Sequence, residues 1–433
     1  MYKIRGMRGF LASSTGVTCA AALALPLTSP AAATTSAPPA TSPTARATAY
    51  APGGTQSLPL APRARDRAPG TPEQGLRRGD VRHFSLVGVV WDDPATPLHG
   101  RVEVRTRATA TGAWSGWREL QTHNADHAAD PGTPESTSVR VRGATAPLWV
   151  GESDGVEVRV RAAAAHEAAR ALPATRALPA ARTAPAAARL PTGLRLELVD
   201  PGEDVPPPAN HAADEPEPAV LPALPARQRT GPHVGPRPRI TTRRGWGADE
   251  RLREKGFVYT KKVKTAFVHH SDTGNNYRCS QAPSVIRGIY RYHVTSTGWR
   301  DLGYNFLVDK CGRIYEGRAG GVSEPVLGAH TLGFNSNSMG IAVLGTYSSK
   351  KPSSAALRAI ARLTAWKVGL YGMNPRGKTY LKSGGGNLYR KGKKVRLNVI
   401  SGHRDGFATN CPGKKLYDKL GTARAKAAKY QGR

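Results

Sequence analysis

Apolar and polar residues alternate along much of the stretch from Arg82 to Val160. In the run G-R-V-E-V-R-T-R-A, for example, Val102 and Val104 alternate with charged neighbours. Successive side chains of a strand point to opposite faces of a sheet, so this period predicts strands. Turn residues separate the runs, which favours an all-β sandwich. The predicted strands are His83–Trp91, Gly100–Ala108, Trp114–Leu120, Thr137–Arg142, Ala146–Val150, Gly155–Val160 and Gly193–Asp200.

A different pattern begins near Arg239. Apolar runs typical of buried strands, such as Met339–Gly345, are separated by two stretches with helical spacing, Ser280–Val294 and Ser353–Leu370. A short hairpin is expected at Lys378–Val395. Strands that alternate with helices predict an α/β domain in which helices flank one mixed central sheet. Functional sites in such sheets form at the ends of strands.

The segments before and between these two regions are rich in Ala, Pro, Thr and Arg and have no sustained apolar period. Such composition is typical of disordered tethers and semi-rigid linkers. We therefore divide the chain into a leader at 1–33, a disordered tether at 34–80, a smaller β-rich domain at 81–200, a Pro-rich linker at 201–238 and the α/β domain at 239–433. An Ala/Arg/Pro-rich insertion is expected inside the β-rich domain, at 161–190.

The leader is expected to be a secretory signal peptide. Lys3, Arg5 and Arg8 precede a mostly apolar run, and small residues ending at Ala33 follow it. This order is typical of a cleavable signal. Cys19 suggests a lipoprotein anchor instead, but the apolar run before it is short and interrupted by polar residues. We expect a secreted protein, extracellular or associated with the cell wall, that does not bind a membrane after signal cleavage.

The chain is strongly basic. Its 433 residues carry a formal net charge of +32, and the isoelectric point is about 10.5. This excess predicts an anionic partner: nucleic acid, a lipid surface or an acidic wall polymer. Secretion argues against nucleic acid and leaves the wall polymer as the favoured partner. We expect the protein to be a monomer.

Candidate metal ligands lie far apart in the α/β domain. His403 and Cys411 are eight positions apart on a Gly-bounded loop, and an apolar run leads into the pair His269-His270. A strand alternates its faces, so only one histidine of the pair can reach the same site. Two histidines and one cysteine would leave a tetrahedral zinc with one open position, which is the catalytic pattern. Taken singly, such residues more often have surface, core or disulfide roles, and only the set together favours a metal site.

The cysteine count supports a metal. Signal cleavage would remove Cys19 and leave three cysteines outside the cell. Cys279 and Cys311 could pair, which leaves Cys411 as an odd thiol. A free extracellular thiol is a liability unless a metal holds it as thiolate. If Cys411 instead paired with one of the other two, the protein could bind but not catalyse.

Several motifs occur in order along the α/β domain. They are R-R-G-W-G-A, F-V-H-H-S-D-T, G-W-R-D-L-G-Y-N-F-L-V-D, G-R-I-Y-E-G-R, G-A-H-T-L-G-F-N-S-N-S-M-G-I, G-H-R-D and T-N-C-P-G. Together they resemble the peptidoglycan recognition protein family, also called type 2 N-acetylmuramoyl-L-alanine amidases, to which phage T7 lysozyme is similar. The resemblance covers about Arg239 to Tyr417, and the domain order is similar to that of secreted actinobacterial members.

This resemblance implies roles for individual residues. The zinc ligands of the family fall on His269, His403 and Cys411, which selects the first histidine of the pair. Tyr304 matches the tyrosine that reaches the metal-bound group, and Thr409 matches a further catalytic position. Members that only bind peptidoglycan typically have serine where this chain has cysteine. The resemblance therefore implies a zinc-dependent amidase that cleaves between N-acetylmuramic acid and L-alanine of peptidoglycan, with non-catalytic peptidoglycan binding as the alternative.

Other residues are expected to contact substrate or to support the site. His330 matches a residue that lines the muramyl-peptide groove, and we expect His270 and Asn335 to bind substrate as well. No general base is identified: the nearby acids Glu316 and Asp405 are expected to be structural, and Asp405 could orient a ligating histidine.

The remaining candidates leave two interpretations open. Trp114 and Trp117 could face a sugar ring or fill the sandwich core. A cluster of cations on the hairpin could bind anionic wall polymers or could simply be solvated. These cations are Lys391, Lys393, Lys394 and Arg396.

Overall fold

The computed structural model describes residues 53–63, 72–122, 124–163, 189–203, 218–224 and 231–433. The predicted signal peptide lies outside these residues. Most of the predicted insertion, 164–188, also lies outside them, as do 204–217 and 225–230 of the predicted linker. The described residues all belong to one compact unit, Tyr50–Arg433.

Nine strands of the N-terminal half form an antiparallel β-sandwich, as the alternating pattern predicts. They are β1 (Gly54–Pro59), β2 (Ala61–Pro62), β3 (Glu73–Arg78), β4 (Phe84–Trp91), β5 (Gly100–Ala108), β6 (Arg118–Leu120), β7 (Gly143–Ala144), β8 (Leu148–Ala162) and β9 (Arg195–Asp200). The order is β1-β9-β4-β8-β3-β2, while β5 pairs with β8 and β6, and β7 pairs with β4. Val87 and Val89 of β4 face Val102, Val104 and Val158 across the core. The all-β prediction is confirmed.

Two local predictions for this half are wrong. The predicted tether at 34–80 contains three strands among its described residues, and β1 pairs with β9 over its whole length. Leu58 and Leu60 pack against the sandwich core. Two apolar residues at strand spacing were therefore enough to attach this segment to the sandwich, although its composition is typical of a tether. Thr137–Arg142, predicted as a strand, consists of turns and irregular backbone in which Val139 is fully exposed. This segment pairs with no strand because it lies against the α/β domain instead.

The two tryptophans are not core residues. Trp114 and Trp117 are half-buried at the sandwich surface, and β6 begins only after them. The Arg105 guanidinium lies over both rings, and that of Arg159 lies 4.0 Å from the centroid of Trp117. The stacked arginines shield the two indole rings from water, although the rings are not part of the sandwich core.

The C-terminal half is the predicted α/β domain. Its strands are β10 (Val220–Leu221), β11 (Ile240–Thr241), β12 (Thr265–His270), β13 (Phe306–Val308), β14 (Ile314–Glu316), β15 (Ser338–Val343), β16 (Lys378–Lys382), β17 (Lys394–Asn398) and β18 (Ile400–Gly402). Its helices are α1 (Arg243–Trp246), α2 (Ala282–Arg291), α3 (Ser354–Lys367), α4 (Lys414–Tyr417) and α5 (Leu420–Tyr430). Seven strands form a mixed sheet in the order β10-β11-β14-β13-β15-β12-β18, and β16 and β17 form the predicted hairpin.

Alternation along the central strands explains why helices cover both faces. Val308 of β13 packs with α3 and α5, whereas its neighbour Leu307 packs with α2. The Ser353 hydroxyl caps α3 by accepting a hydrogen bond from the Ala356 amide at 3.0 Å. Helix α5, whose Ala-rich sequence has a weak apolar period, was not predicted. The mixed sheet with flanking helices is confirmed.

Helix α2 also joins the two halves. One side of it contacts the central sheet, and the other packs on the outer face of β4, where Leu86 and Val90 join the same apolar cluster as Val285 and Ile289. Both faces of β4 are therefore buried, which accounts for its continuous apolar sequence. Just beyond α2, the Tyr292 hydroxyl donates a hydrogen bond to the Thr145 carbonyl at 3.0 Å. The sandwich and the α/β domain thus share one core.

The predicted Cys279–Cys311 disulfide is present, and Cys411 is a free, buried cysteine. The bridge ties the segment just before α2 to the turn after β13. Among the described residues, no helix has the length and hydrophobicity required to cross a membrane.

We expect Gly88→Ala to destabilise the protein by about 1–3 kcal/mol. A Cβ at this position would overlap the Tyr292 side chain, which is fully buried against β4. Thermal unfolding followed by circular dichroism should therefore show a lower Tm. Gly116→Ala is the matched control, because a Cβ there has no heavy atom within 4 Å. Equal Tm values for the two variants would contradict the shared core.

Candidate metal centre and its docking segment

Two parallel strands end side by side and bring two histidines together. Strand β12 pairs with β18, with Val268 opposite Gly402. His269 is the next residue of β12, and His403 is the first residue after β18. Because the carboxyl ends of parallel strands lie at one edge of a sheet, the two side chains meet there. Their ring centroids are 4.5 Å apart.

The strand alternation decides between His269 and His270. Phe267 packs against Phe334 on one face of β12, whereas Val268 lies on the face covered by α3. His269 therefore projects to the side of Phe267. His270 projects to the other side, where its Nδ1 accepts a hydrogen bond from the Tyr347 amide at 3.3 Å.

Cys411 reaches the same place from the loop that follows β18. The Arg404 amide donates to the Cys411 carbonyl at 3.1 Å, which closes the loop back on itself. Cys411 Sγ lies 3.7 Å from His269 Nδ1. Two such ligands around a tetrahedral metal would be roughly 3.5 Å apart, given metal–sulfur and metal–nitrogen bonds of about 2.3 and 2.0 Å. The observed separation fits that requirement.

A fourth group comes from the β-sandwich domain. His127 ends a short 3-10 helix, Asn124–His127, and its ring centroid lies 4.6 Å from that of His403 and 5.3 Å from that of His269. One ligand atom from each of His127, His269, His403 and Cys411 lies within 4.8 Å of the others. All four residues are buried.

Hydrogen bonds on the far side of the rings fix their orientation. His403 Nε2 lies 3.1 Å from the Asp126 carbonyl, which can only accept, so Nε2 carries the proton and Nδ1 keeps its lone pair. That Nδ1 is buried and has no hydrogen-bond partner in the part of the chain that the structure describes. His269 is held similarly, with Nε2 3.4 Å from the Thr331 hydroxyl. Both Nδ1 atoms are therefore available to a metal, with their outer nitrogens held as in known metal sites.

Burial disfavours a charge on His269, His403 and Cys411 when no cation is present. It lowers the pKa of His269 well below its usual range, with neighbouring histidines adding to the shift, and lowers that of His403 to about 3. Burial, reinforced by Asp126, raises the pKa of the Cys411 thiol. Neutral imidazoles are the form that binds metals. A bound cation would stabilise the Cys411 thiolate and so offset the free-energy cost of burying its negative charge. Three imidazoles and one thiol suit a borderline-soft divalent metal ion.

Asp126 adds a negative charge beside the cluster. Burial would raise the pKa of its carboxyl group, but His127, His403 and a hydrogen bond from Thr409 lower it below the usual range. Asp126 Oδ1 lies 2.7 Å from His127 Nδ1. An ionised carboxylate in this place would favour a cation among the ligands.

Tyr304, predicted to reach a metal-bound group, lies close to two histidines of the cluster. It is buried beside the cluster, with its ring centroid 5.4 Å from that of His269 and 5.8 Å from that of His127. Burial, with the nearby Cys411 and Asp126, raises the pKa of its hydroxyl, so the group remains a hydrogen-bond donor at neutral pH.

The other polar candidates lie around the cluster. The Thr409 hydroxyl accepts a hydrogen bond from the Cys411 amide at 3.2 Å, in addition to its contact with Asp126. Asp405 accepts from the Gly402 amide at 2.9 Å and from the Tyr417 hydroxyl at 2.5 Å, so it orients the loop, whereas the Asp126 carbonyl holds the His403 ring. Glu316 accepts from the Arg243 amide at 3.1 Å. Both acids have structural contacts, as expected.

His330 and Asn335 are buried beneath residues of the sandwich domain. His330 is fully buried, and its Nδ1 lies 3.0 Å from the Thr331 hydroxyl. The Asn335 side-chain amide donates to the Ala128 carbonyl at 3.0 Å and to the Asp130 carboxylate at 2.8 Å. Nothing in this arrangement tests the predicted substrate contacts of His270, His330 and Asn335, which stay predictions.

We call residues 124–142 the docking segment, because buried polar contacts hold this part of the sandwich domain to the α/β domain. Arg318 forms two hydrogen bonds to the Glu135 carboxylate, at 2.7 and 2.8 Å, and both side chains are buried. Further along, the Arg142 amide donates to the Thr297 carbonyl at 3.1 Å. The segment therefore spans from the metal ligands to the loops around Arg318.

Sequence reasoning missed Asp126, His127 and the anchors of the docking segment. The only local sign was an acidic residue beside a histidine in N-A-D-H, which is common on surfaces and has no metal-ligand spacing of its own. Asp126 and His403 are separated by 277 residues, and their contact depends on how the two domains pack.

Comparison with known families agrees with this architecture. Residues 30–187 match a family described as Rv3811 N-terminal galactose-binding domain-like, and residues 259–414 match the N-acetylmuramoyl-L-alanine amidase family. The second match contains His269, His403 and Cys411, whereas the first contains His127.

Individual relatives cover the same C-terminal region. Peptidoglycan-recognition protein SC2 of Drosophila simulans is 32% identical over 159 residues, which span 36% of this chain and 72% of that protein. The chain belongs to the family of peptidoglycan-recognition proteins and N-acetylmuramoyl-L-alanine amidases. The human protein named N-acetylmuramoyl-L-alanine amidase is 33% identical over 193 residues, 43% of this chain and 28% of that protein.

A solved structure of a family member aligns with the same part of the chain. It is peptidoglycan recognition protein-LE in complex with tracheal cytotoxin, a monomeric diaminopimelic acid-type peptidoglycan. It is 28% identical, covers 42% of this chain and 92% of its own, and has a TM-score of 0.33. The family resemblance identified from the sequence motifs is confirmed by the family and sequence matches.

We expect Glu135→Gln to lower the free energy of unfolding at pH 7 by about 3 kcal/mol, because Arg318 would lose its charged partner inside the protein. Burial alone would raise the pKa of Glu135, but Arg318 lowers it below its usual value. The ion pair therefore stabilises the fold above the unfolded-state pKa of about 4.3 and loses this effect as the pH falls through the lower folded-state pKa. Urea unfolding at several pH values measures both effects.

Glu119→Gln is the control, since Glu119 is exposed and lies 3.9 Å from Arg101 at the surface. Its effect should stay within about 0.5 kcal/mol. A Glu135→Gln effect that is equally small, or that persists undiminished well below pH 4, would show that the docking segment is not held by this ion pair.

Proposed function

We propose that the protein is a zinc-dependent hydrolase that cleaves the amide bond between N-acetylmuramic acid and L-alanine in peptidoglycan. The amidase family match and the relatives named amidase support the reaction class. The observation that carries the proposal is the reduced, buried Cys411 beside His269 and His403. A thiol and two imidazoles whose Nδ1 atoms point into the same buried space are a zinc-binding set.

His269, His403 and Cys411 would hold the zinc through Nδ1, Nδ1 and Sγ. Zinc in this position would polarise the amide carbonyl and lower the pKa of a water molecule to about 7. The Asp126 carbonyl holds His403 in the tautomer that this role needs, and the Thr331 hydroxyl helps to orient His269.

Tyr304 would stabilise the reacting carbonyl oxygen. Its hydroxyl is a buried donor next to His269, and it needs no reorganisation to donate a hydrogen bond to an oxyanion. Thr409 positions Cys411 through the Cys411 amide, so its contribution is to hold the loop. In this proposal, three residues bind the zinc, Tyr304 donates to the oxyanion, and Thr409 positions the Cys411 loop.

A non-catalytic, peptidoglycan-binding function is the second candidate, because several relatives are named only as recognition proteins. In its sequence-based form, this alternative needed Cys411 to pair with Cys279 or Cys311. Those two cysteines pair with each other instead. The free thiol supports the catalytic proposal over this alternative.

We also propose that the protein acts outside the cell, with the peptidoglycan wall as its partner. The hairpin β16–β17 would add contacts to anionic wall polymers, since its cations are exposed. Lys393 and Lys394 lie 5.3 and 4.9 Å from the ring centroids of Tyr389 and Tyr380.

Hydrolysis of purified muropeptides tests the reaction. Wild type and His127→Ala are both assayed with zinc and with chelator, because His127 lies within the ligand cluster. We expect at least the zinc-loaded His127→Ala variant to produce new L-alanine amino termini. Chelator should abolish this product, and so should adding Cys411→Ser to the His127→Ala variant. Tyr304→Phe in the same background should lower kcat by about 10²–10³, as loss of an oxyanion donor does elsewhere. If both zinc-loaded proteins bind muropeptides and neither cleaves them, the amidase proposal is refuted and the non-catalytic binding function is supported.

Retention on isolated cell walls tests the hairpin. We expect neutralising Lys391, Lys393 and Arg396 to glutamine to weaken retention at low salt, because exposed charges act over a Debye length. The difference should vanish at high salt. The matched control neutralises three exposed lysines elsewhere, Lys414, Lys419 and Lys429. Equal losses for both triple variants would mean that only the total charge of the protein matters.

A further inference from the structure

We propose that His127 is a fourth protein ligand of the same metal and that the docking segment, residues 124–142, is an internal plug of the active site. The claim about the ligand rests on the geometry of the cluster. The claim that the plug keeps the enzyme latent rests, in addition, on the proposed amidase function.

The position of His127 is that of a ligand. Its side chain is about nine-tenths buried, and neither of its ring nitrogens makes a hydrogen bond among the described residues. Its Nδ1 faces the Asp126 carboxylate at 2.7 Å. A buried, unpaired ring nitrogen is costly, whereas a histidine that faces a carboxylate on one side and a metal on the other is a common metal-site arrangement. Metal binding would therefore satisfy a group that the fold leaves unsatisfied.

A fourth protein ligand changes what the centre can do. Catalytic zinc sites have three protein ligands and an open position for water or substrate, whereas sites with four protein ligands are closed. His269, His403 and Cys411 alone form the first kind. With His127 in place, the set becomes the second kind, and water and substrate have no free position.

The plug also covers the surface around the metal. The Asp126 carbonyl accepts a hydrogen bond from the Leu332 amide at 3.0 Å, and the Asp130 carboxylate accepts from the Gly333 amide at 2.8 Å. These contacts lie on the loop that carries His330 and Asn335, which we expect to contact substrate. The Glu135–Arg318 ion pair holds the far end. Substrate could approach this loop only after the segment had moved.

The plug can be withdrawn without disrupting either domain. Among the described residues, none of the four apolar clusters includes a member of the segment. It is held by hydrogen bonds and ion pairs, and it joins the sandwich through irregular backbone between β6 and β7. Groups released from such contacts can form hydrogen bonds with water instead, whereas exposed core residues have no such compensation.

The test of the ligand uses the full chain loaded with Co²⁺ and follows its visible absorption spectrum during titration with azide. A centre with four protein ligands should not respond, so the wild-type spectrum should stay unchanged. His127→Ala should show a saturable spectral change as azide enters the open position. His99→Ala is the matched control, because His99 is an exposed histidine of the same domain. It should behave like the wild type.

Glu135→Gln provides a second variant that keeps all four ligands. Because it removes one anchor of the plug, we expect azide to change its spectrum, but only at higher concentrations than His127→Ala requires. The wild-type spectrum should stay unchanged at those same concentrations. This variant keeps the proposal testable if His127→Ala does not fold, which circular dichroism would reveal.

Muropeptide hydrolysis by the zinc-loaded proteins tests latency. We expect His127→Ala to be at least about tenfold faster than wild type, since the competent fraction of the wild type would be small. An equal azide response in wild type and His127→Ala would overturn the role of His127 as a ligand, whatever the hydrolysis rates. Different azide responses without hydrolysis by any variant would refute the amidase and latency while supporting the ligand. Equal hydrolysis by wild type and variant would refute latency and leave the amidase function in place.

Discussion

The convergence of three imidazoles and a thiol in one buried space is the constraint on which the rest of the structure depends. Parallel pairing of β12 and β18 places His269 and His403 side by side, and the loop after β18 returns Cys411 to them. Polar groups cannot be buried without partners except at a high free-energy cost. The outer nitrogens of the two histidines have such partners, and the inner ones face one another. The proposed metal ion would resolve this arrangement, which would otherwise be costly to maintain.

The sandwich domain takes part in that centre because the two domains share a core. Helix α2 contacts the central sheet on one side and β4 on the other, so the sandwich cannot rotate freely about a linker. This fixed placement lets a loop between β6 and β7 deliver Asp126 and His127 to a site built by the other domain. The family matches divide the chain at the same place, with His127 in one region and the other three ligand residues in the other. The chemistry of the centre therefore depends on residues from both regions.

The contacts of the docking segment differ in kind from those of α2. The interface at α2 is apolar and continuous with the core, whereas the docking segment is held by ion pairs and hydrogen bonds such as Glu135–Arg318. An apolar interface resists opening because water gains access to the core, while polar contacts exchange with water. The structure thus combines a permanent join with a contact that can be released. A peptidoglycan hydrolase with this combination would be controlled by the position of one loop.

Local sequence patterns were sufficient for most of the fold, and the sequence also pointed to three residues of the cluster. Alternation along β4, β5 and β8 and the helical period of α2 and α3 follow from the two side-chain periodicities of strands and helices, which depend only on neighbouring residues. The ordered motifs pointed to His269, His403, Cys411 and Tyr304 through their resemblance to a known family. Local patterns failed where packing between domains decided the outcome. Val139 and Val141 alternate like strand residues, yet their segment docks on the α/β domain instead of joining a sheet.

His127 is the clearest case of a cluster residue that the sequence alone could not predict. Nothing near it in the sequence indicates a ligand, since its partners are contributed by strands and loops far along the chain. The sequence by itself determined which residues could bind a metal and on which elements they lie. Only the tertiary structure decided that a loop of the first domain reaches the open side of the site. The physical reason is that this contact depends on how two preformed surfaces pack through α2, and no local periodicity encodes that packing.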